Sequence, residues 1–248
     1  MTRLKSDKQI DMIRVSCKLL ARILGELAEM VGVGVTPVDL DAAARRKIHE
    51  ANGRPAFLGY EGYPAALCTS VNEAVIHGIP DKRKLKSGDV ISLDLGIELD
   101  GYYSDSACTV AVGSVRPEVQ KLMKTAQESL MLGIEQARAG NRIHDIARAI
   151  YRHNKAEGYG VVRPYCGHGV GFDIHEDPQV PNYVGSGPNP RLKPGMVLAI
   201  EPMINLGEDD VLLLDDEWTV VTADRSISVH FEHTIAIFKD HTEILTLP

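Results

Sequence analysis

Residues 90–109 read V-I-S-L-D-L-G-I-E-L-D-G-Y-Y-S-D-S-A-C-T. The centre, Asp100-Gly101, is a hairpin-turn signal, because a two-residue turn needs positive φ, which Gly adopts freely and Asp tolerates. A turn there sets Ala107 opposite Asp94 and Asp105 opposite Gly96. Alternate residues of a strand share a face, so Asp94 and Asp105 become diagonal cross-strand neighbours, with Cα atoms about 7–8 Å apart. Two carboxylates among apolar strand residues repel and resist ionisation. Either they are solvated on an outward face, or they are half-buried around one cation or a pair.

Working outward, the chain of 248 residues is long enough to bury well over half of its unfolded surface. A hydrophobic content of 44% with 25% charged residues is ordinary for a soluble globular protein. The net charge of −7 disfavours phosphate-backbone binding, so no specific nucleic acid is expected. No apolar run is long enough to span a membrane. The start, M-T-R-L-K-S-D-K-Q-I-D, lacks the apolar core of a signal peptide. Cys17, Cys68, Cys108 and Cys166 form no C-x-x-C pair, which fits free thiols and a cytoplasmic location.

Apolar residues at Ile10, Ile13, Cys17, Leu20, Leu24, Leu27 and Val31 recur every three or four positions and predict an amphipathic helix. Gly32-Val33-Gly34 ends it, and Thr36-Pro37-Val38-Asp39 starts a second helix running to about Ala51. Residues 54–84 read as loops and short strands, with His77 near the end of one run. Further helices are expected over 117–137 and from about 143 to 155. A Pro/Gly/Asn-rich loop is expected over 178–194, and strand regions over 196–203 and 229–238.

The chain repeats itself. L-K-S-G-D-V-I-S-L-D at 85–94 matches L-K-P-G-M-V-L-A-I-E at 192–201, an offset of 201 − 94 = 107. Gly34 and Asp39 line up on Gly140 and Asp145 at 140 − 34 = 106. C-T-V-A-V from Cys108 matches H-T-I-A-I from His233 at 233 − 108 = 125. Residues 1–248 are therefore expected to form one domain of two halves, about 1–116 and 117–248, with an insertion in the second. Asp94 and Glu201 are equivalent, and Asp105 and Glu232 lie on corresponding later strands. A pseudo-two-fold axis would bring all four acids to one place.

His168, in C-G-H-G-V-G, is the fifth candidate, because its glycine neighbours allow close backbone approach. It could also be a turn residue. Four carboxylates and one imidazole suit Mn, Fe, Co or Zn. Four acids exceed the charge of one divalent ion, so carboxylates bridging two ions fit better. Cys108 and Cys166 are poor rivals, since thiolate ligation would need more cysteines at metal spacing.

The set S-L-D-L-G, Y-Y-S-D-S-A-C-T, Y-C-G-H-G-V-G, A-I-E-P-M and F-E-H-T-I resembles type I methionine aminopeptidases in their short bacterial form. C-T-S-V-N-E-A-V-I-H-G-I-P and D-E-W-T-V-V-T-A-D-R-S-I-S narrow the likeness from the superfamily to that group. The resemblance implies the α+β pita-bread fold: two pseudo-two-fold halves around a central antiparallel sheet, with helices outside. It implies that Asp94, Asp105, His168, Glu201 and Glu232 hold two divalent ions, with Asp105 and Glu232 bridging. It gives Glu201 the proton of the attacking water, His77 a substrate contact, and His175 the tetrahedral intermediate. Tyr60, Tyr63, Cys68, Ile174 and Trp218, with Phe57 nearby, would line the methionine pocket, although Trp218 could equally be core. Ile174 stands where an aromatic is common and Glu61 where a His is frequent. The implied activity is removal of methionine from nascent chains with a small second residue, by a monomer. Contact with the ribosome is left open. Two rival readings are an Xaa-Pro peptidase of the same fold, which usually carries an extra N-terminal domain, and a non-catalytic binding module.

Overall fold

The computed structural model describes residues 2–247. The first half runs α1 (Asp7–Met30), α2 (Pro37–Glu50), β1 (Arg54–Pro55), β2 (Leu67–Val71), β3 (Ala74–Ile76), β4 (Val90–Leu99) and β5 (Tyr102–Ala111). The second opens with α3 (Pro117–Gln136), α4 (Ile143–Ala156), β6 (Gly160–Val161), β7 (Gly167–Gly169), β8 (Glu176–Val180) and β9 (Val197–Ile200). It closes with β10 (Met203–Asn205), β11 (Val211–Leu213), β12 (Val220–Thr222), β13 (Ser228–His230), β14 (His233–Ile237) and β15 (Thr242–Ile244).

The predicted apolar stripe of α1 is buried from Ile10 to Leu27. The helix starts three residues before the stripe because Ser6 and Gln9 form a capping box, with Ser6 N donating to Gln9 Oε1 at 2.9 Å. Thr36 caps α2 and accepts from Asp39 N at 3.3 Å. Asp100 (φ 52) and Gly101 (φ 83) make the predicted turn, and the strands pair in the predicted register, Asp94 with Ala107 and Gly96 with Asp105.

Every strand pair is antiparallel. Among the described residues the strands hydrogen-bond in four antiparallel groups: β1-β4-β2 with β5 on β4, β13-β10-β6, β11-β12-β3, and β15-β14-β9-β7-β8. Each half keeps its own core beneath its helix pair. Leu20, Leu27, Leu40 and Ile48 pack with Leu93 and Leu95, whereas Leu122, Leu130, Ile146 and Ile150 pack with Leu198 and Ile235. The duplication is visible in pairing. Ser92 opposite Thr109 becomes Ala199 opposite Thr234, since 92 + 107 = 199 and 109 + 125 = 234. Gly34 N donates to Leu85 O at 2.8 Å, and Gly140 N to Leu192 O at 2.9 Å.

Three expectations need correction. The run 196–203 is two strands, broken at Glu201-Pro202, and 229–238 is two, broken at Phe231-Glu232. In both cases the chain leaves one sheet for another at the acid, helped at the first by a proline that has no N–H to give a ladder. The loop expected from Pro178 starts later, because Glu176–Val180 is an edge strand on β7.

Candidate metal centre

Asp94 and Asp105 project from the middle of the β4–β5 hairpin. Glu201 follows β9, Glu232 lies between β13 and β14, and His168 is the middle residue of β7. Hydrogen bonds across the seam fix the two halves together: Glu232 N donates to Ala107 O at 2.9 Å, and Ser106 Oγ donates to Glu232 O at 2.7 Å.

The five side chains converge. Donor atoms of Asp94, Asp105 and Glu232 lie within 4.8 Å of one another, as do those of His168, Glu201 and Glu232. Glu232 belongs to both groups. His168 Nε2 is 3.7 Å from Asp105 Oδ2 and 3.6 Å from Glu201 Oε1. On the other side of the ring, His168 Nδ1 lies 3.0 Å from Gly169 O, a carbonyl that can only accept, so Nδ1 carries the proton and the Nε2 lone pair faces the space between the acids.

These acids do not satisfy each other. Asp94 Oδ1, Asp105 Oδ1 and Glu232 Oε1 are buried without a hydrogen bond among the described residues. Burial pushes the Asp94 carboxyl up to about 7. Burial, then the charges of neighbouring acids, raises Asp105 and Glu232 well above the carboxylate range. Glu201 differs: burial would raise it, but His230 close against one oxygen, with His168 and His175 nearby, outweighs that and lowers it. Orphaned, mutually repelling carboxylate oxygens beside a free imidazole nitrogen are what divalent cations complete. The donor set therefore fits the ions that the sequence implied.

The cysteines stay out of it. Neither Cys108 nor Cys166 joins a group of close donor atoms among the described residues, and burial pushes the Cys166 thiol up to about 11 and that of Cys108 up to about 12.

A cavity of about 470 Å³ opens over the acids, lined in part by Phe57, Tyr60, Tyr63, Cys68, His77 and Trp218. The rings meet closely: Tyr63 and Trp218 edge to face at 5.1 Å, His77 and Trp218 at 6.2 Å, His168 and His175 at 4.4 Å. His77 has φ 57, a left-handed conformation that costs a non-Gly residue energy and clusters at functional sites. His175 stands at the mouth, where its Nδ1 pairs with Tyr60 Oη at 2.9 Å. Although part of its ring reaches solvent, the surrounding protein desolvates it and lowers its pKa to about 4. Burial likewise lowers His77, so both imidazoles are neutral at pH 7.

One pocket expectation shifts. Ile174, 3% exposed, is not among the residues that line the cavity but packs in one apolar cluster with the lining residues Phe57, Tyr63 and Cys68, close to Gly96. Glu61, at φ 48, does reach the cavity wall. One residue escaped the sequence reading. His230, 1% exposed, places Nε2 3.4 Å from Glu201 Oε2. The 125-residue offset could have found it, because 230 − 125 = 105 puts it on the position of Asp105.

Comparison with known proteins agrees with this geometry. The family model "Metallopeptidase family M24" matches residues 11–239. The chain is similar to a methionine aminopeptidase of Treponema pallidum, 51% identical over 100% of this chain and 97% of that one. Its fold matches that of methionine aminopeptidase from Rickettsia prowazekii with a TM-score of 0.97 at 39% identity, covering both chains fully. The prolidase of Pyrococcus furiosus shares the fold, with a TM-score of 0.79 at 23% identity, but this chain covers only 65% of it.

Proposed function

The chain belongs to metallopeptidase family M24, and from that premise we propose that it is a methionine aminopeptidase acting on nascent polypeptides whose second residue is small and uncharged. The observation that carries this is the apolar, ring-walled cavity ending on the five converging donors. A long unbranched thioether suits such a pocket, in which Phe57, Tyr63, Cys68 and Trp218 offer apolar surface.

Asp94, Asp105, His168, Glu201 and Glu232 would hold two divalent ions of Co, Mn, Fe or Zn. When bound, the pair supplies Lewis acidity to the scissile carbonyl and makes water acidic enough to attack at neutral pH. The protein's own groups do the rest. Glu201, held ionised, takes the proton of the attacking water. His175, with Nδ1 accepting from Tyr60 Oη, turns a protonated Nε2 toward the oxyanion that develops. His77, neutral and held by its strained backbone, contacts the substrate from the opposite wall. The crowding of His168 and His175 beside the donors is the reason for favouring a small second side chain.

The enzyme is read as a cytoplasmic monomer. No helix among the described residues is long and apolar enough to cross a membrane. An Xaa-Pro specificity has less support, since the full-length likenesses are to methionine aminopeptidases. The test is product analysis: metal-loaded protein is incubated with Met-Gly, Met-Lys and Xaa-Pro peptides. Free methionine from Met-Gly alone is expected. Cleavage of the Xaa-Pro peptide alone, or of none, overturns the reading.

A further inference from the structure

His230 performs no step above, yet it is buried against the residue that moves the proton. Its Nε2 lies 3.4 Å from Glu201 Oε2, while Glu201 Oε1 lies 3.6 Å from His168 Nε2. The two oxygens of one carboxylate are thus divided between two imidazoles. Neither ring nitrogen of His230 is hydrogen-bonded among the described residues, so the 3.4 Å approach to Glu201 is its closest polar side-chain contact. A buried imidazole whose nitrogens lack hydrogen bonds is costly unless a close neighbour makes use of it.

Its backbone is also fixed. Thr109 Oγ1 donates to His230 O at 2.8 Å and accepts from His230 N at 2.9 Å. So the β5 strand that carries Asp105 also sets the position of His230. The duplication makes the same point, since Asp105 and His230 are equivalent residues of the two halves. The second copy therefore presents an imidazole where the first presents a donor acid. His230 is not itself part of any of the three groups of close donor atoms found among the described residues, which are built from Asp94, Asp105, His168, His175, Glu201 and Glu232. Asp94 is near enough to feel its charge, but Glu201 is the one acid within 4.0 Å of its nitrogens among the described residues.

We propose that His230 is a positioning residue: its Nε2–H holds Glu201 Oε2, so that Oε1 is presented to the ion-holding cluster before any ion arrives. This rests on the reading of Glu201 as a metal ligand. Partners of metal ligands raise ligand quality by fixing orientation, and their loss costs about 10–100-fold in metal affinity.

Three variants of the full chain test it. His230→Gln keeps an N–H near the position of Nε2; His230→Leu keeps the volume without a donor; His230→Asn keeps the amide but is too short to reach. The stripped proteins are titrated with Mn(II) at pH 7.5 by calorimetry, with circular dichroism to establish folding. The expected result is Mn(II) affinity about 10–100-fold weaker in His230→Leu and His230→Asn, with His230→Gln close to the parent. If His230→Leu does not fold, the Gln and Asn pair carries the comparison. Affinity unchanged in the donor-less variants, or as weak in His230→Gln as in His230→Asn, overturns the proposal. Those results would leave methionine release by the parent untouched, so they are separable from failure of the proposed function.

Discussion

Thr109 and Thr234 make the same hydrogen bond in opposite directions across the seam between the halves. Thr109 Oγ1 donates to His230 O at 2.8 Å, and Thr234 Oγ1 donates to Asp105 O at 2.7 Å. The donors are related by 234 − 109 = 125 and the acceptors by 230 − 105 = 125. Each threonine thereby grips the backbone of a residue at the centre.

The pair is equivalent in position but unequal in load. Thr234→Val strands one buried carbonyl, at a cost of about 1–2 kcal/mol. Thr109→Val strands the N–H and C=O of His230 and also removes the 2.8 Å partner of Ser92 Oγ, at about 2–4 kcal/mol. Urea unfolding of the two variants at one pH checks the order, Thr109→Val being the less stable.

Metal affinity should fall with acidification. Asp94 is pushed up to about 7, and Asp105 and Glu232 are raised further by burial and mutual charge. Protons and cations compete for these oxygens. Binding of Mn(II) is expected to be at least about tenfold weaker at pH 6 than at pH 8 and to release protons, which calorimetry in two buffers of different ionisation enthalpy measures.

Stability of the metal-free protein should move the other way. Carboxyls with raised folded pKa values bind more protons folded than unfolded, so stability falls as pH rises from about 4 through 7. His175 and His233, both lowered to about 4 by burial, act with the opposite sign up to about 6.5. Above that the acids act unopposed by these histidines. The melting temperature of stripped protein should therefore drop between pH 6.5 and 8, and Asp94→Asn should flatten the drop.

Asp105→Asn removes a donor and a charge at 3% exposure. Turnover should vanish while the stripped variant at pH 8 gains on the order of 1 kcal/mol, the usual trade between function and stability at strained sites. Retained activity, or a less stable fold, would count against crowded carboxylates as the design of the centre.

Gly96→Ala reaches the pocket from behind. A Cβ at Gly96 would stand 2.7 Å from Phe57 Cε1 and 3.0 Å from Ile174 Cδ1. Phe57 lines the cavity, so a shift of its ring changes the cavity's shape. The KM for Met-Gly should rise several-fold, with kcat less affected, in steady-state kinetics.

Much of this was legible because the signals were local or repeated. Periodicity and capping gave four helices, and Asp100-Gly101 set the register that faces Asp94 and Asp105 together. What escaped depended on tertiary context. An apolar run such as V-L-A-I-E-P-M does not announce that it changes sheets at Glu201, because both sides of the break are buried. Pro178 looked like loop but sits in an edge strand, where a missing N–H is tolerated. Ile174 aligned with a pocket position, yet its neighbours Phe57 and Gly96 decide which of them faces the void. His230 was hidden by standing two residues from a louder acid.

The register offset grows from 107 to 125 between Glu201 and His233, so the second copy carries 125 − 107 = 18 extra residues there. They include the turn with Trp218, which meets Tyr63 of the first copy. Trp218 also lines the cavity over the acids, beside Phe57, Tyr63 and His77 of the first copy. The surplus residues thus break the likeness of the two copies at the one place where both look onto the same void, and the wall there is aromatic rather than acidic.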